Sequence, residues 1–462
     1  MADQLLVRLY NVELGDFIYL CVPDANRDVH ILVDCGTLSA MELLTARLED
    51  LKSALPQDAN GKWVLDLLVV SHPHLDHHKG LTPENFDDFL IKNLWLSPAY
   101  DRSNPNAVGF FALKDATLRA LNSLAGFAEG QLKLEVDGLL AMNKSEIIQH
   151  LCDGMGQGLT PRFVSAETPA EDLQLFESED IHLEVLSPMA NIDGYYLGGT
   201  GLDASLRAAD PGFSFDAETL SAEQSEAFSK FLTQGYERLY PAADQGEPDL
   251  PQNISALDFM ALRSRLKSNA LALAEMTGKI ENNLSVVLLL AWHEQRLLFT
   301  GDAEWDAAYE GAVKPGRCNG AWNVMWAERK DQLAVPLDFL KVGHHGSENA
   351  TPWEPKEDEN QPEHPINQVL EAMLPLNRKS EARAVVSTER GNRYPTIPSG
   401  PLLEELAKRV SNVRSDYVET STSKHILKPN TPQPQRTDLE RSASGEPLPY
   451  IELCFEYEEE ID

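Results

Sequence analysis

The chain has 462 residues and a formal charge of −34, because 39 Lys and Arg stand against 73 Asp and Glu. Lys and Arg dominate phosphate binding, so this balance excludes a basic coat for long duplexes and argues against a polybasic membrane anchor. The longest apolar run, residues 284–292, is far short of the roughly 20 residues that span a bilayer. Five scattered cysteines are typical of reduced thiols, and the N-terminus lacks a signal-peptide pattern. We therefore expect a cytoplasmic protein that does not bind membranes.

The first hundred residues predict strands alternating with helices. Strands are predicted at residues 5–10, 17–22, 30–34, 63–70 and 94–96. Helices are predicted at residues 38–55, from apolar side chains at helical spacing, and at 84–92. Strand, helix and strand in this order are typical of a layered α/β fold.

Residues 104–280 are less regular. Helical patterns occur at 221–240 and 256–277, around a short predicted strand at 182–186 and an acidic stretch that we interpret as solvated surface. We expect this segment to be an insertion or lid within a single domain over residues 1–462. A protein partner could bind through it.

The pattern of strand and helix returns after the insertion, so two similar halves flank it. Strands are predicted at residues 284–291, 296–300, 337–342, 384–387 and 450–457, and helices at 368–374 and 402–410. Residues 428–449 hold five prolines and predict an exposed connection to the C-terminal strand.

Histidines are concentrated directly after the strand predicted at residues 63–70. His72 and His74 alternate on extended backbone, so both side chains can point to one side of the strand end. Asp76 and His77, one turn further on, can point to a second position a few ångströms away. Imidazole and carboxylate are ligands for Zn, Mn or Fe, and the spacing suits two metals roughly 3.5–4 Å apart. A helix start with merely solvated histidines is the alternative, and it explains this density poorly.

Two later strand ends carry similar chemistry. Gly301-Asp302 follows an apolar strand, and a carboxylate there can bridge two metals. A further strand ends in Lys341, and His344, His345 and Ser347 follow it within six residues. A histidine pair at a third strand end is unusual for a purely structural role.

Together these motifs resemble the metallo-β-lactamase superfamily. The similarity rests on the His-x-His-x-Asp-His run at 72–77, Asp-x-Gly at 34–36, Gly-Asp at 301–302 and the late histidines. Within the superfamily the chain is similar to the soluble hydrolase domain of the bacterial competence DNA-uptake channel and its stand-alone relatives. This narrower similarity rests on the segments at residues 11–16, 283–302, 341–347 and 385–394. Roughly residues 1–100 and 280–427 are covered.

The resemblance implies an α/β fold, a metallo-β-lactamase-like αββα sandwich with a large helical and loop insertion. It also implies two divalent ions, Zn or Mn. The first metal would be held by His72 and His74, and the second by Asp76, His77 and His344, which is preferred to His345. Asp302 would bridge the two. The sequence departs from the family pattern at the usual third histidine of the first metal, whose sequence context is absent. It also departs at Asn11 and at residues 394–396.

Two divalent cations would acidify a bridging water towards neutral pH, and the resulting metal-bound hydroxide would be the nucleophile. Asp76 is the candidate that orients it, and His345 or Lys341 could stabilise the leaving oxygen. Our leading hypothesis is a phosphodiesterase that acts on single-stranded nucleic acid or a nucleotide-derived substrate. The substrate-binding candidates are Lys341, Ser347, Arg390 and Arg393, the last two from a locally cationic segment.

Two alternatives remain open from the sequence. The same chemistry would hydrolyse a carboxylic ester, lactone or thioester. An interaction module with a vestigial metal site is the other alternative, which the intact ligand set argues against.

Overall fold

The computed structural model describes residues 3–38, 41–125, 128, 130–142, 145–197, 256–306, 311–313, 317–356, 362–379, 381–388, 396–415, 435–436 and 449–457. The strands are β1 (Asp3–Tyr10), β2 (Phe17–Asp24), β3 (Arg27–Cys35), β4 (Trp63–Leu65), β5 (Leu67–Val70), β6 (Phe89–Ile91), β7 (Leu94–Leu96), β8 (Arg162–Phe163), β9 (Ile181–Ser187), β10 (Val287–Trp292), β11 (Gln295–Phe299), β12 (Phe339–Lys341), β13 (Arg383–Val386), β14 (Asn412–Ser415), β15 (Gln435–Arg436) and β16 (Tyr450–Tyr457). The helices are α1 (Met41–Ala54), α2 (Leu75–His78), α3 (Pro83–Phe86), α4 (Val108–Ala125), α5 (Gly130–Met142), α6 (Ser145–Cys152), α7 (Ile192–Tyr195), α8 (Ala256–Asn283), α9 (Ala321–Glu328), α10 (Lys330–Leu333), α11 (Asn367–Met373) and α12 (Gly400–Arg409).

Two seven-stranded sheets organise these elements. The first has the order β16-β1-β2-β3-β5-β7-β8 and the second the order β15-β14-β13-β12-β11-β10-β9. In the first sheet, neighbouring strands from β16 through β1 and β2 to β3 are antiparallel, and those from β3 through β5 and β7 to β8 are parallel. In the second sheet, neighbouring strands from β9 through β10 to β11 are antiparallel, and those from β11 through β12, β13 and β14 to β15 are parallel. Each sheet therefore combines an antiparallel part with a parallel part, and the predicted α/β class is confirmed.

The main hydrophobic core lies between the two sheets, and helices cover their outer faces. Alternation along β10 shows this, because Leu288 belongs to the core between the sheets and Leu289 to the cluster on the outer face. That outer cluster includes side chains of α9, α11 and α12. On the outer face of the first sheet, Leu44 and Leu48 of α1 pack with side chains of β3 and β5.

Two predicted elements differ in the structure. The strand expected over residues 63–70 is divided at Asp66 into β4, which pairs with β6, and β5, which pairs with β3 and β7. The buried Asp66 carboxylate accepts the His30 N–H at this break. The helix expected over residues 84–92 is wrong, because α3 ends at Phe86 and β6 then pairs in parallel with β4. Apolar residues in this short stretch satisfy helical spacing and strand alternation alike, so periodicity alone does not separate the two.

The segment 104–280 contributes several helices and two strands to the fold. α4 packs against both α5 and α8, while β8 extends the first sheet and β9 the second. The helix predicted over residues 221–240 lies outside the described residues, as does most of the segment 428–449. Among the described helices, none combines the length and the apolar character needed to cross a membrane.

Candidate metal centre

Three chain segments meet at the ends of β5, β11 and β12. They bring together Asp76, His77, Asp302 and His345, four buried residues whose ligand atoms all lie within 4.8 Å of one another. His345 Nε2 is 2.8 Å from Asp76 Oδ2, and His77 Nε2 is 3.2 Å from Asp302 Oδ1. This set of two imidazoles and two carboxylates could hold a metal ion.

Glycines allow the three segments to approach so closely. Gly301 has a φ of +51°, and a Cβ there would lie 2.9 Å from the Ser285 Cβ and 3.0 Å from the Ser71 Cβ. At Gly36 a Cβ would lie 2.3 Å from the Asp76 carbonyl carbon. A larger residue at Gly301 would push the ends of β5 and β11 apart, and one at Gly36 would push against the backbone of Asp76 and His77.

The turn after β12 contains strained backbone. His344 and His345 have φ values of +41° and +53°, a region that residues with a Cβ seldom adopt. The turn is held by the His344 N–H, which donates to Asp302 Oδ1 at 3.1 Å. Strain of this kind costs about 1–3 kcal/mol per residue and is concentrated at functional sites.

Asp34 orients His77. Asp34 Oδ2 lies 2.7 Å from His77 Nδ1, and the same carboxylate accepts the Ser71 N–H at 2.7 Å and the Ser71 hydroxyl at 2.6 Å. His77 therefore directs Nε2 towards Asp302. A carboxylate on the outer nitrogen is the usual support of a metal-binding histidine.

His72 and His74 lie beside the cluster of four. His72 Nε2 is 3.0 Å from His74 Nδ1 and 3.8 Å from Asp302 Oδ2. Burial, together with the nearby His77 and His74, holds the pKa of His72 well below its usual value. A neutral imidazole is the form that binds a metal.

The late histidines have different surroundings. His345 belongs to the cluster of four, whereas His344 Nδ1 lies 2.8 Å from Glu304 Oε1 and its Nε2 lies 4.0 Å from Asp302 Oδ2. The sequence favoured His344 as the metal ligand, and the structure brings His345 to Asp76 instead. Burial would lower the pKa of His344, but Asp302 and Glu304 raise it to about 9.

Opposite charges stabilise each other within the cluster. Burial would raise the pKa of Asp302, but His77 and His344 hold it well below its ordinary value. Burial would likewise lower the pKa of His77, yet the surrounding carboxylates, Asp302 first among them, raise it well above its ordinary value. The site therefore concentrates negative charge, and its imidazole nitrogens would release their protons when a metal cation binds.

Unpaired buried atoms indicate that the residues fit a divalent cation. Among the described side chains, Asp76 Oδ1 and His77 Nε2 are buried without a hydrogen-bond partner. Leaving a buried polar group unpaired costs about 1–3 kcal/mol. A cation would give both atoms a partner, and their donor types suit Zn and Mn.

A cavity of about 540 Å³ adjoins the centre. Its polar wall includes Asp76, Asp302, His344 and His345, and Lys279 of α8 provides an ammonium. Its apolar wall includes Leu14, Leu38, Leu139, Ala274 and Ile397. Leu139 and Ala274 belong to α5 and α8, so the segment 104–280 forms part of this cavity.

Of the predicted substrate-binding residues, the two that the structure describes, Lys341 and Ser347, do not line this cavity. Lys341 has no exposed surface and its ammonium pairs with Asp16, so substrate contact is not open to it. Ser347 is buried and its hydroxyl donates to Asn349 Oδ1 at 3.1 Å. Arg390 and Arg393 lie outside the described residues.

Two other arginines of the cationic segment at residues 378–393 make contacts within the protein. Arg378 pairs with Asp338 at 2.9 Å. Arg383 donates to the Cys454 carbonyl and lies over the Phe455 ring.

Three buried residues of the site carry no sequence signal. Glu304 contacts His344, and Glu281 contacts both His74 and Lys114. Lys114 and Glu281 are 167 positions apart, so no local spacing links them.

A comparison with protein-family models finds no match to this chain, and neither does a comparison with curated proteins. Function must therefore be argued from the geometry and chemistry of the site.

Proposed function

We propose that this chain is a metal-dependent hydrolase of the metallo-β-lactamase superfamily, with an αββα sandwich, that cleaves phosphodiester bonds. The observation that carries the proposal is the convergence of Asp76, His77, Asp302 and His345 from three separate segments into one buried cluster. In this proposal the substrate is single-stranded nucleic acid or a nucleotide derivative, and the cytoplasm is the site of action.

The four residues of the cluster would hold one divalent ion, Zn or Mn. His72 and His74 would hold a second ion beside it. Asp302 is suited to bridge the two, because Oδ1 faces His77 at 3.2 Å and Oδ2 faces His72 at 3.8 Å. This revises the ligand set expected from the sequence in one residue, His345 for His344.

Bound divalent cations would supply Lewis-acid activation of water and neutralise charge on a phosphoryl oxygen. Asp76 would face the ion with one carboxylate oxygen, and its second oxygen could accept a proton from water. His344 lines the cavity with 26% of its side chain exposed, and its Nδ1 lies 2.8 Å from Glu304 Oε1. We assign the hydrogen bond to the leaving oxygen to His344, since Lys341 is buried and His345 belongs to the cluster.

The apolar wall of the cavity favours a second candidate function. Leu14, Leu38 and Ile397 would pack against the apolar part of a carboxylic ester, lactone or thioester. The same wall would also accept the face of a nucleobase. The formal charge of −34 argues against tight binding of long duplexes in either case.

A substrate panel separates these functions. Protein loaded with Zn or Mn is given bis-nitrophenyl phosphate, short single-stranded oligonucleotides and an uncharged nitrophenyl ester. We expect phosphodiester hydrolysis that Asp302→Asn abolishes and that Asp331→Asn, a change at an exposed carboxylate of α10, leaves intact. Hydrolysis of the ester alone would favour the second candidate. Fewer than one metal equivalent bound by the unmutated protein would contradict the hydrolase proposal and favour an interaction module.

A further inference from the structure

Three buried side chains form a chain of contacts behind the metal centre. Glu281 Oε2 lies 3.2 Å from His74 Nε2, and Glu281 Oε1 pairs with the Lys114 ammonium. The exposed fractions of the His74, Glu281 and Lys114 side chains are 7%, 1% and 7%. The ion pair therefore contacts His74 with little exposure to bulk water.

The helices of the segment 104–280 fix this ion pair. Lys114 belongs to α4 and Glu281 to α8, and these helices pack against each other. One turn away, the hydroxyls of Thr117 and Thr277 join the same two helices at 3.0 Å. The carboxylate consequently has a defined position relative to His74.

Stability alone does not explain a buried pair of this kind. Desolvation of the two charges offsets most of their attraction, and apolar residues of similar size often serve equally well. The direction of the carboxylate is more informative. Glu281 contacts the outer nitrogen of His74, Nε2, whereas Nδ1 faces His72 Nε2 at 3.0 Å. A carboxylate that accepts a hydrogen from Nε2 leaves the lone pair on Nδ1, on the side of the metal centre.

We infer that Glu281, anchored by Lys114, is a positioning residue that fixes the Nε2–H tautomer of His74 and directs its Nδ1 towards the metal centre. This inference rests on the proposed function, because it requires His74 to bind a metal. It gives helix α8, which lines the cavity, a second part in the site, because α8 together with α4 also supports a ligand. Metal-binding histidines commonly depend on such a carboxylate.

The direct test is Zn affinity without substrate, measured by competition with a chelator. We expect Glu281→Gln to weaken Zn binding about 10- to 100-fold, the usual effect of losing an outer carboxylate. Glu405→Gln is the matched control, because Glu405 is also buried and paired, at 2.8 Å with Arg409, but lies on α12. That variant should lose stability and keep its Zn affinity.

The tautomer of His74 gives a second readout that needs no Glu281 variant to fold. Two-bond ¹⁵N–¹H correlation spectra of the Zn-loaded wild-type protein should show the hydrogen of His74 on Nε2. A hydrogen on Nδ1, or an unchanged Zn affinity in Glu281→Gln, would overturn the inference and leave the proposed function standing. Absence of Zn binding by the wild-type protein would instead remove the proposed function.

Discussion

His345 Nε2 lies 2.8 Å from Asp76 Oδ2, whereas the neighbouring His344 directs Nδ1 to Glu304. The two histidines should therefore differ in their effect on metal binding. We expect His345→Ala to weaken Zn binding by more than the about 10- to 100-fold that loss of an outer hydrogen bond costs. His344→Ala should change Zn affinity far less and reduce turnover. Chelator competition measures the first effect, and steady-state hydrolysis measures the second.

The two variants control each other. Both positions have positive φ, so alanine meets a similar backbone penalty at each. A larger loss of Zn affinity in His344→Ala than in His345→Ala would restore the ligand expected from the sequence.

Gly301 should be intolerant of even the smallest side chain. A Cβ at this position would lie 3.0 Å or less from atoms of Ser285 and Ser71, on a backbone with φ of +51°. Ser71 binds Asp34, and the Ser285 hydroxyl accepts the Asp302 N–H at 3.0 Å. We expect Gly301→Ala to lower the free energy of unfolding by about 1–3 kcal/mol and to weaken Zn binding, because the residues that hold the centre must move.

Urea unfolding and Zn titration check both effects. Gly61→Ala is the matched control, since Gly61 also has positive φ but a Cβ there would meet no atom within 4 Å. Equal behaviour of the two variants in Zn binding would show that close packing at Gly301 is unimportant for the centre.

Local patterns were sufficient to predict most of the longer strands and the first histidine cluster, whereas the short strands β6, β8, β14 and β15 were missed. The apolar runs before His72 and Asp302 mark β5 and β11, and functional side chains follow directly where these strands end. The roles of His344 and His345 could not be predicted, because consecutive residues in a left-handed turn leave the strand alternation that sets side-chain direction.

Long-range pairing was also beyond prediction. Lys341 is the last residue of an apolar strand and resembles a substrate-binding cation, yet it is buried against Asp16, 325 positions away. Asp34 is part of the Asp-x-Gly motif at residues 34–36, and only the folded chain brings it to His77. Periodicity describes neighbours within an element, whereas these contacts depend on how separate elements pack.

The Lys341–Asp16 pair should behave as one unit. Lys341→Met leaves the Asp16 carboxylate buried without its cation, and we expect a loss of about 3–5 kcal/mol in the free energy of unfolding. Adding Asp16→Asn removes the uncompensated charge, so the double variant should be more stable than Lys341→Met alone. Urea unfolding of both single variants and the double variant measures the coupling. Additive losses would contradict the buried ion pair.

Asp66 should make stability depend on pH through a group distant from the metal centre. Its carboxylate accepts the His30 N–H at 2.9 Å and pairs with Arg27 and Lys92. Burial would raise the pKa of Asp66, but these partners hold it below the ordinary value of 3.8. Because the folded-state pKa is the lower one, the stabilisation is complete above about pH 4 and is lost as pH falls through the folded-state pKa.

Asp66→Asn should therefore lower the free energy of unfolding at pH 7 by about 1–3 kcal/mol, since the amide leaves Arg27 and Lys92 without their anion. The difference from the wild-type protein should shrink at pH 3, where Asp66 itself begins to bind a proton. Urea unfolding at the two pH values measures this, with Asp331→Asn as the control for losing an exposed carboxylate. A difference of the same size at both pH values would mean that the shape of the Asp66 side chain, rather than its charge, stabilises the break between β4 and β5.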